Sequence, residues 1–379
     1  MNCKRSIELH KQFGGKLEIK SKFEIKTRED LSMAYTPCVA EISSAIAKDK
    51  NLAKEYTIKK NTVAVVSDGS AVLGLGNIGA EAAIPVMEGK AILFKELANV
   101  DAFPICLTTQ DPDEIISIVK NIAPVFGGIN LEDISAPKCF YVEEKLQDIG
   151  IPVMHDDQHG TAIVVTAALI NALKILKKDI NKTKVVIVGA GAAGIAITKM
   201  IAKELCFQDI IVCDSKGIIS KDRTNLNQMK KRLLSFTNKN NRSGSIEEAL
   251  VDSDVFIGVS TGGILNIEMV KKMNKDSIVF AMANPIPEIM PDDAKKGGAA
   301  IVGSGRSDFP NQINNVLAFP GIFRGLLDGN ITKVTSGIKI NAAKALADYV
   351  KNPTVENILP GPLDRGVAKV IAQSITRLK

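Results

Sequence analysis

Two pairs of adjacent acids follow apolar runs in this chain. GGINLEDISAP carries Glu132 and Asp133, and IPVMHDDQHGTA carries Asp156 and Asp157 just ahead of a helical stretch. Clustered carboxylates repel unless something neutralises them, and a hard divalent cation does so through oxygen ligands. Taken singly, either pair also suits a helix cap or a solvated turn, and Asp157 before QHGTA suits a cap. Together they offer about three carboxylates to Mg²⁺ or Mn²⁺, leaving positions for substrate and water. His155 and His159 flank the second pair, but no other histidine lies near them, which argues against zinc.

A glycine pattern with dinucleotide-binding spacing occurs twice: GLGNIG at 74–79 and GAGAAG at 189–194. The second has the context the pattern needs, an apolar strand running into Gly189 and an uninterrupted helix from about Ala192. Gly189, Gly191, Ala192, Ala193 and Gly194 are therefore expected to receive a pyrophosphate on the helix N-terminus. The next strand, DIIVCD, ends in Asp214, 25 positions after Gly189, where a carboxylate can accept from the adenosine ribose hydroxyls. That predicts NAD, with NADP accepted as a second cofactor because Ser215 and Lys216 follow and can meet a 2′-phosphate. The first copy lacks this context. Its preceding run AVL is short, and its following helix is expected to be cut by Pro85 and stopped by Gly89, which leaves Lys90 just past a helix and ahead of a strand at 91–96. Spacing alone makes this copy a set of tight turns without a ligand.

These residues need elements to hold them. Runs at 62–68, 91–96, 102–108 and 127–131 read as strands, separated by helices at 111–121 and 137–149. A long helix is expected from 159 to 178, followed by strands at 184–188, 210–214, 255–259, 278–282 and 300–302, and by helices at 337–347 and 366–378. The predicted fold is α/β: an N-terminal α/β catalytic domain (1–158) and a C-terminal Rossmann-type, doubly wound dinucleotide-binding domain with a helical tail (159–379).

Composition limits the alternatives. The 379 residues are 45% apolar, enough for two cores. The net charge of +6 is scattered rather than gathered into an aromatic-interleaved stripe, so no nucleic-acid partner is expected. Six cysteines without a CxxC pair read as reduced thiols. The charged N-terminus is not a signal sequence, and the longest apolar run, 161–173, is too short for a bilayer. The expectation is a cytoplasmic protein without a membrane partner. Ile7, Leu9, Phe13, Leu17, Ile19, Phe23 and Ile25 recur without an evident partner helix, which predicts a homodimer.

Several stretches in order carry a resemblance: YTPCVAE (35–41), the long segment from VVSDGSAVLGLGNIG through MEGKAILFKE, INLEDISAPKCF, MHDDQHGTA, VVIVGAGAAG, MANPIPEI and NQINNVLAFPGIFRG. The chain resembles the malic enzymes of the short bacterial type over nearly its whole length. The resemblance implies a general acid at Tyr35 and a general base at Lys90. It also implies metal ligands at Glu132, Asp133 and Asp157 with Asp156 beside them, and substrate-binding asparagines at Asn284 and Asn315. Asn284 would also border the cofactor. The first glycine loop, with Ser70 and Gly74, then joins the substrate site. The residues so placed imply oxidative decarboxylation of malate to pyruvate. Malolactic conversion to lactate, or a silent dinucleotide sensor, are the rival readings. Ala71 stands where the long enzymes carry a substrate-binding arginine, and no phosphotransacetylase-like extension is seen. Lysine normally holds its proton at neutral pH, so burial and a nearby cation are expected to lower the pKa of Lys90. Whether Tyr35 serves its own chain or a neighbour's stays open.

Overall fold

Short β-branched runs alternating with helices build two parallel sheets. The computed structural model describes residues 3–72, 74–207 and 209–378. In the N-terminal half, β1 (Thr62–Ser67), β2 (Asp101–Cys106), β3 (Gly128–Leu131) and β4 (Val153–His155) pair in parallel in the order β2-β1-β3-β4. Every residue of β1, β3 and β4 is buried, as continuous apolar strands covered on both faces must be.

The C-terminal half contains β5 (Lys184–Val188), β6 (Asp209–Asp214), β7 (Gly217–Ile218), β8 (Val255–Gly258), β9 (Ser277–Ala281) and β10 (Ala299–Ser304). Their order is β10-β9-β8-β5-β6-β7, with only β7 antiparallel. This is the expected doubly wound sheet. The winding reverses between β5 and β8, and a crevice for a ligand lies beyond the strand carboxyl ends at that point.

Helices α1 (Cys3–Phe13), α2 (Arg28–Ala34), α3 (Val39–Lys48) and α4 (Ala53–Tyr56) precede β1. Then α5 (Ala80–Ala98) connects β1 to β2, while α6 (Pro112–Ile122) and α7 (Lys138–Lys145) flank β3. The strand expected at 91–96 is not formed, because α5 runs unbroken through Pro85 and Gly89. The reason is a continuous stripe: Ala83, Met87, Lys90, Ala91, Phe94 and Ala98 recur at three- and four-residue steps and are all buried, so packing outweighs the local breakers. Of the short run expected ahead of GLGNIG, Leu73 lies outside the described residues, and Val72 makes only an isolated bridge to Gly76.

The long helix α8 (Asp156–Leu176) starts three residues before its expected position, which puts both acids of the second pair in its first turn. It lies between the halves, packing on β4 and on α9 (Ala192–Glu204). The proposed division at 158/159 therefore cuts the first turn of a continuous helix. The apolar run 161–173 is part of this helix, which by length and composition could cross a membrane, but it is used as core, 67% buried. Short helices α10 (Gln228–Leu233), α11 (Ile246–Leu250), α12 (Ile267–Lys271) and α13 (Pro291–Lys296) fill the later crossovers. Helices α14 (Phe319–Asp328), α15 (Ser336–Tyr349) and α16 (Arg365–Thr376) close the chain, α14 and α16 packing on α5 and α15 on α8.

Candidate active site

Register brings the two acidic pairs together. Leu131 at the end of β3 pairs with His155 at the end of β4, so Glu132–Asp133 and Asp156–Asp157 leave the sheet side by side at its carboxyl edge. Lys90 enters from the buried stripe of α5. Its Nζ lies 2.8 Å from Glu132 Oε1, 2.7 Å from Asp156 Oδ2 and 4.1 Å from the centre of the Phe319 ring, with the side chain only 8% exposed. Burial alone would pull this ammonium down, but the charges of Asp156 and Glu132 outweigh it and hold its pKa above the ordinary value. The expected lowering by burial is thus opposed by two carboxylates in direct contact, which linear order does not reveal.

Oxygens of Glu132, Asp133 and Asp157 lie within 4.8 Å of one another. Asp133 takes a left-handed conformation (φ 54°) and donates its N–H to Asp157 Oδ2 at 2.8 Å, while Asn130 donates to Glu132 Oε2 at 2.8 Å. Burial pushes Glu132 and Asp156 up to about 7 and Asp157 up to about 6, more than the charge of Lys90 offsets. Carboxylates held this close, with one lysine against them, lack positive charge. A hard divalent cation on Glu132, Asp133 and Asp157 fits that deficit.

Asp156 Oδ1 is buried without a hydrogen-bond partner among the described residues. It folds back over Gly160, where a Cβ would stand 1.9 Å away, and the Cβ of Asn315 lies 3.1 Å from that same point. Asn315 is therefore brought to Asp156. A Cβ on Gly74 (φ 75°) would stand 2.7 Å from the Asn284 carbonyl oxygen, so the GLGNIG turn of one half abuts the MANP loop of the other. Ser70 is close by, but its hydroxyl donates to Asp68 Oδ1 (2.6 Å) and accepts from Ser135 N (2.9 Å), bracing the loop. Tyr35 is not drawn in. It ends α2 with 67% of its surface exposed.

The second glycine turn has the geometry that its expected role requires. Gly189 has φ 116° and abuts Val259 O, and a Cβ on Gly194 would stand 1.8 Å from Gly189 O, whereas nothing lies within 4 Å of the point where Gly191 would carry one. Two glycines are demanded by packing and the third leaves room for a close approach, the division of roles a pyrophosphate turn needs. Ala192 and Ala193 open α9 directly after it.

Asp214 ends β6 as expected, yet its oxygens are already engaged. Oδ1 accepts from Lys216 N (2.9 Å) and Arg223 Nη1 (2.9 Å), and Oδ2 accepts from Arg223 Nη2 (3.0 Å) and Lys230 Nζ (2.6 Å). Burial would raise this carboxyl, but Arg223 and Lys230 outweigh it and hold it at about 2. The side-chain cations on this carboxylate are thus Arg223 and Lys230. Neither belongs to a recognisable motif, so nothing in the sequence pointed to them.

Comparison with known proteins bears on all of these elements. The model of the malic enzyme N-terminal domain matches residues 14–147, and that of the malic enzyme NAD-binding domain matches residues 158–377. The bifunctional malic/malolactic enzyme of Bacillus subtilis is 54% identical over 376 residues, covering 98% of this chain and 92% of the relative. The NAD-dependent malic enzyme of Geobacillus stearothermophilus is 54% identical over 374 residues, covering 98% and 77%. The crystal structure of the NAD-dependent malic enzyme of Thermotoga maritima superposes with a TM-score of 0.95 at 47% identity, covering 98% of each chain.

Proposed function

The chain belongs to the malic enzyme family, and on that premise we propose that it oxidises (S)-malate at C2 and releases C4 as CO₂, leaving pyruvate and a reduced dinucleotide. It is an NAD(P)-dependent oxidoreductase. The observation that carries the residue assignment is the burial of Lys90 between Asp156 and Glu132, beside three oxygen ligands.

A divalent cation on Glu132, Asp133 and Asp157 would supply a Lewis acid for the C2 oxygen, and a dinucleotide on the Gly189–Gly194 turn the hydride acceptor. Lys90 takes the C2 hydroxyl proton as hydride leaves. To begin neutral it must give up the proton that Asp156 and Glu132 hold on it; a cation on Glu132 would weaken that hold, and Asp156, 2.7 Å away, is the group placed to receive the proton. Asn284 and Asn315 bind the substrate carboxylates. When the C3–C4 bond breaks, its electrons remain at C3, and Tyr35 donates the proton that completes the methyl group.

NAD is the preferred cofactor in this reading and NADP the second. The Asp214 carboxylate favours ribose hydroxyls, while Arg223 and Lys230 neutralise it and offer charge to a 2′-phosphate. The chain also acts as a homodimer. Ile7, Phe13, Ile19, Phe23 and Ile25 are exposed along its N-terminal segment, and the equally exposed Tyr35 needs a site to serve. Incubation with malate and Mn²⁺, with NAD or NADP, and analysis of the products tests the whole reading. Pyruvate with stoichiometric NADH supports it. Lactate without net NADH establishes the malolactic reaction, a reading favoured by the Bacillus subtilis relative. Absence of turnover refutes both.

A further inference from the structure

Behind the acidic cluster lies a second, partly buried group of charges that the reaction above leaves unused. Glu143 of α7 accepts the backbone N–H of His155 (3.0 Å), the side-chain amide of Gln158 (3.2 Å) and His159 Nε2 (2.9 Å to Oε1, 3.0 Å to Oε2). All three donors belong to the turn that opens α8. That turn has no side-chain cap of its own, because His155 at the N-cap position makes no such bond. Glu143 accepts the N-cap backbone N–H from a different helix, as the third-position acid of a capping box does within one helix.

Lys339 of α15 stands against the His159 ring, its Nζ 3.0 Å from Nδ1 and 3.2 Å from Nε2. A carboxylate only accepts, so Nε2 carries the proton that Glu143 receives, and Nδ1 is the unprotonated nitrogen. Glu143 thereby fixes the tautomer, and the Lys339 charge stands beside the His159–Glu143 pair.

We propose that Glu143, oriented by His159 and Lys339, is a positioning residue for the metal-binding carboxylates: it locks the first turn of α8 so that Asp157 meets Asp133 N–H and Asp156 meets Lys90. The proposal rests on the reading of Glu132, Asp133 and Asp157 as metal ligands. Because α15 packs on α9 as well as α8, the network also ties the dinucleotide half to the turn that holds the ligands.

Mn²⁺ binding to the full chain, read from the free-ion EPR signal without malate or dinucleotide, separates the two readings. Asp157→Ala tests the ligand assignment and should weaken Mn²⁺ most. Glu143→Gln keeps an acceptor but loses the charge, and Lys339→Met removes the ammonium that stands against His159. Each should weaken Mn²⁺ by about 10-fold, the usual effect of removing an outer-shell partner. Glu143→Gln should also lower the metal-free melting temperature, so affinities are compared at a temperature where every variant is folded, and Lys339→Arg should restore affinity. Wild-type affinity in both Glu143→Gln and Lys339→Met, with Asp157→Ala weakened, overturns the positioning role and leaves the metal site standing. Unchanged affinity in Asp157→Ala removes both. Should Glu143→Gln fail to fold, Lys339→Met and Lys339→Arg still decide the question.

Discussion

Lys90 and Tyr35 stand at opposite ends of the proposed reaction, and one comparison separates them. Lys90→Ala should impair both malate oxidation and, by microscopic reversibility, oxaloacetate reduction by NADH, each by ~10²–10⁴-fold. Tyr35→Phe should slow pyruvate formation by a similar ~10²–10⁴-fold while sparing oxaloacetate reduction, because only protonation at C3 loses its donor. Equal loss in both assays for Tyr35→Phe would show that its hydroxyl positions substrate instead. At the ribose edge, removing one partner of the Asp214 cluster should shift cofactor choice. Arg223→Ala should raise the Kd for NADP with little change for NAD, measured by calorimetry without malate. A parallel change for both cofactors would assign Arg223 to loop stability. The types of these reacting residues were legible in the chain. What they touch was not, since Lys90 lies 66 positions from Asp156, and Lys230 lies 16 from Asp214 in a segment without a motif.

The elements place these residues through strand register and helix phase. The three glycines of the α9 turn differ in what surrounds them, and their alanine variants should differ accordingly. Gly194→Ala forces a Cβ against Gly189 O, so it should lower stability by roughly 1–3 kcal/mol, as overpacking does, and weaken NAD binding as well. Gly191→Ala meets open space, so stability should hold while the Cβ obstructs the pyrophosphate. Urea unfolding and NAD titration of both variants check this, and equal stability loss would contradict it. The reading of α5 shows where local signals stop. Pro85 and Gly89 are breakers by propensity, yet the buried stripe from Ala83 to Ala98 holds one helix, because the burial free energy of that face exceeds the local penalties.

At the scale of the molecule, an exposed apolar N-terminal segment asks for a cover. Sedimentation of the wild type should give a dimer, and Phe13→Asp with Phe23→Asp should dissociate it; a monomer across micromolar concentrations would refute the homodimer. Acid stability should report the Glu143 network. Burial would raise its carboxyl, but His159 and Lys339 hold it at about 2, whereas an unfolded glutamate titrates near ~4.3. A depressed pKa stabilises the fold above the unfolded value and loses that contribution as pH falls through the folded one. The advantage of wild type over Glu143→Gln in urea unfolding should therefore persist down to about pH 5 and close toward about pH 2. A gap that stays constant to the acid end would show that Glu143 carries no such charge. The α/β class, the doubly wound half and the second glycine turn could be read from the chain alone, because they follow from local periodicity and from a turn whose chemistry is contiguous. The cluster of Lys90 with Glu132 and Asp156, the occupation of Asp214 by Arg223 and Lys230, and the bracing of α8 by Glu143 and Lys339 were decided by the tertiary structure. Each joins residues from separate elements, and the pKa values that govern their chemistry depend on burial and on charges a few ångströms away, neither of which linear order reveals.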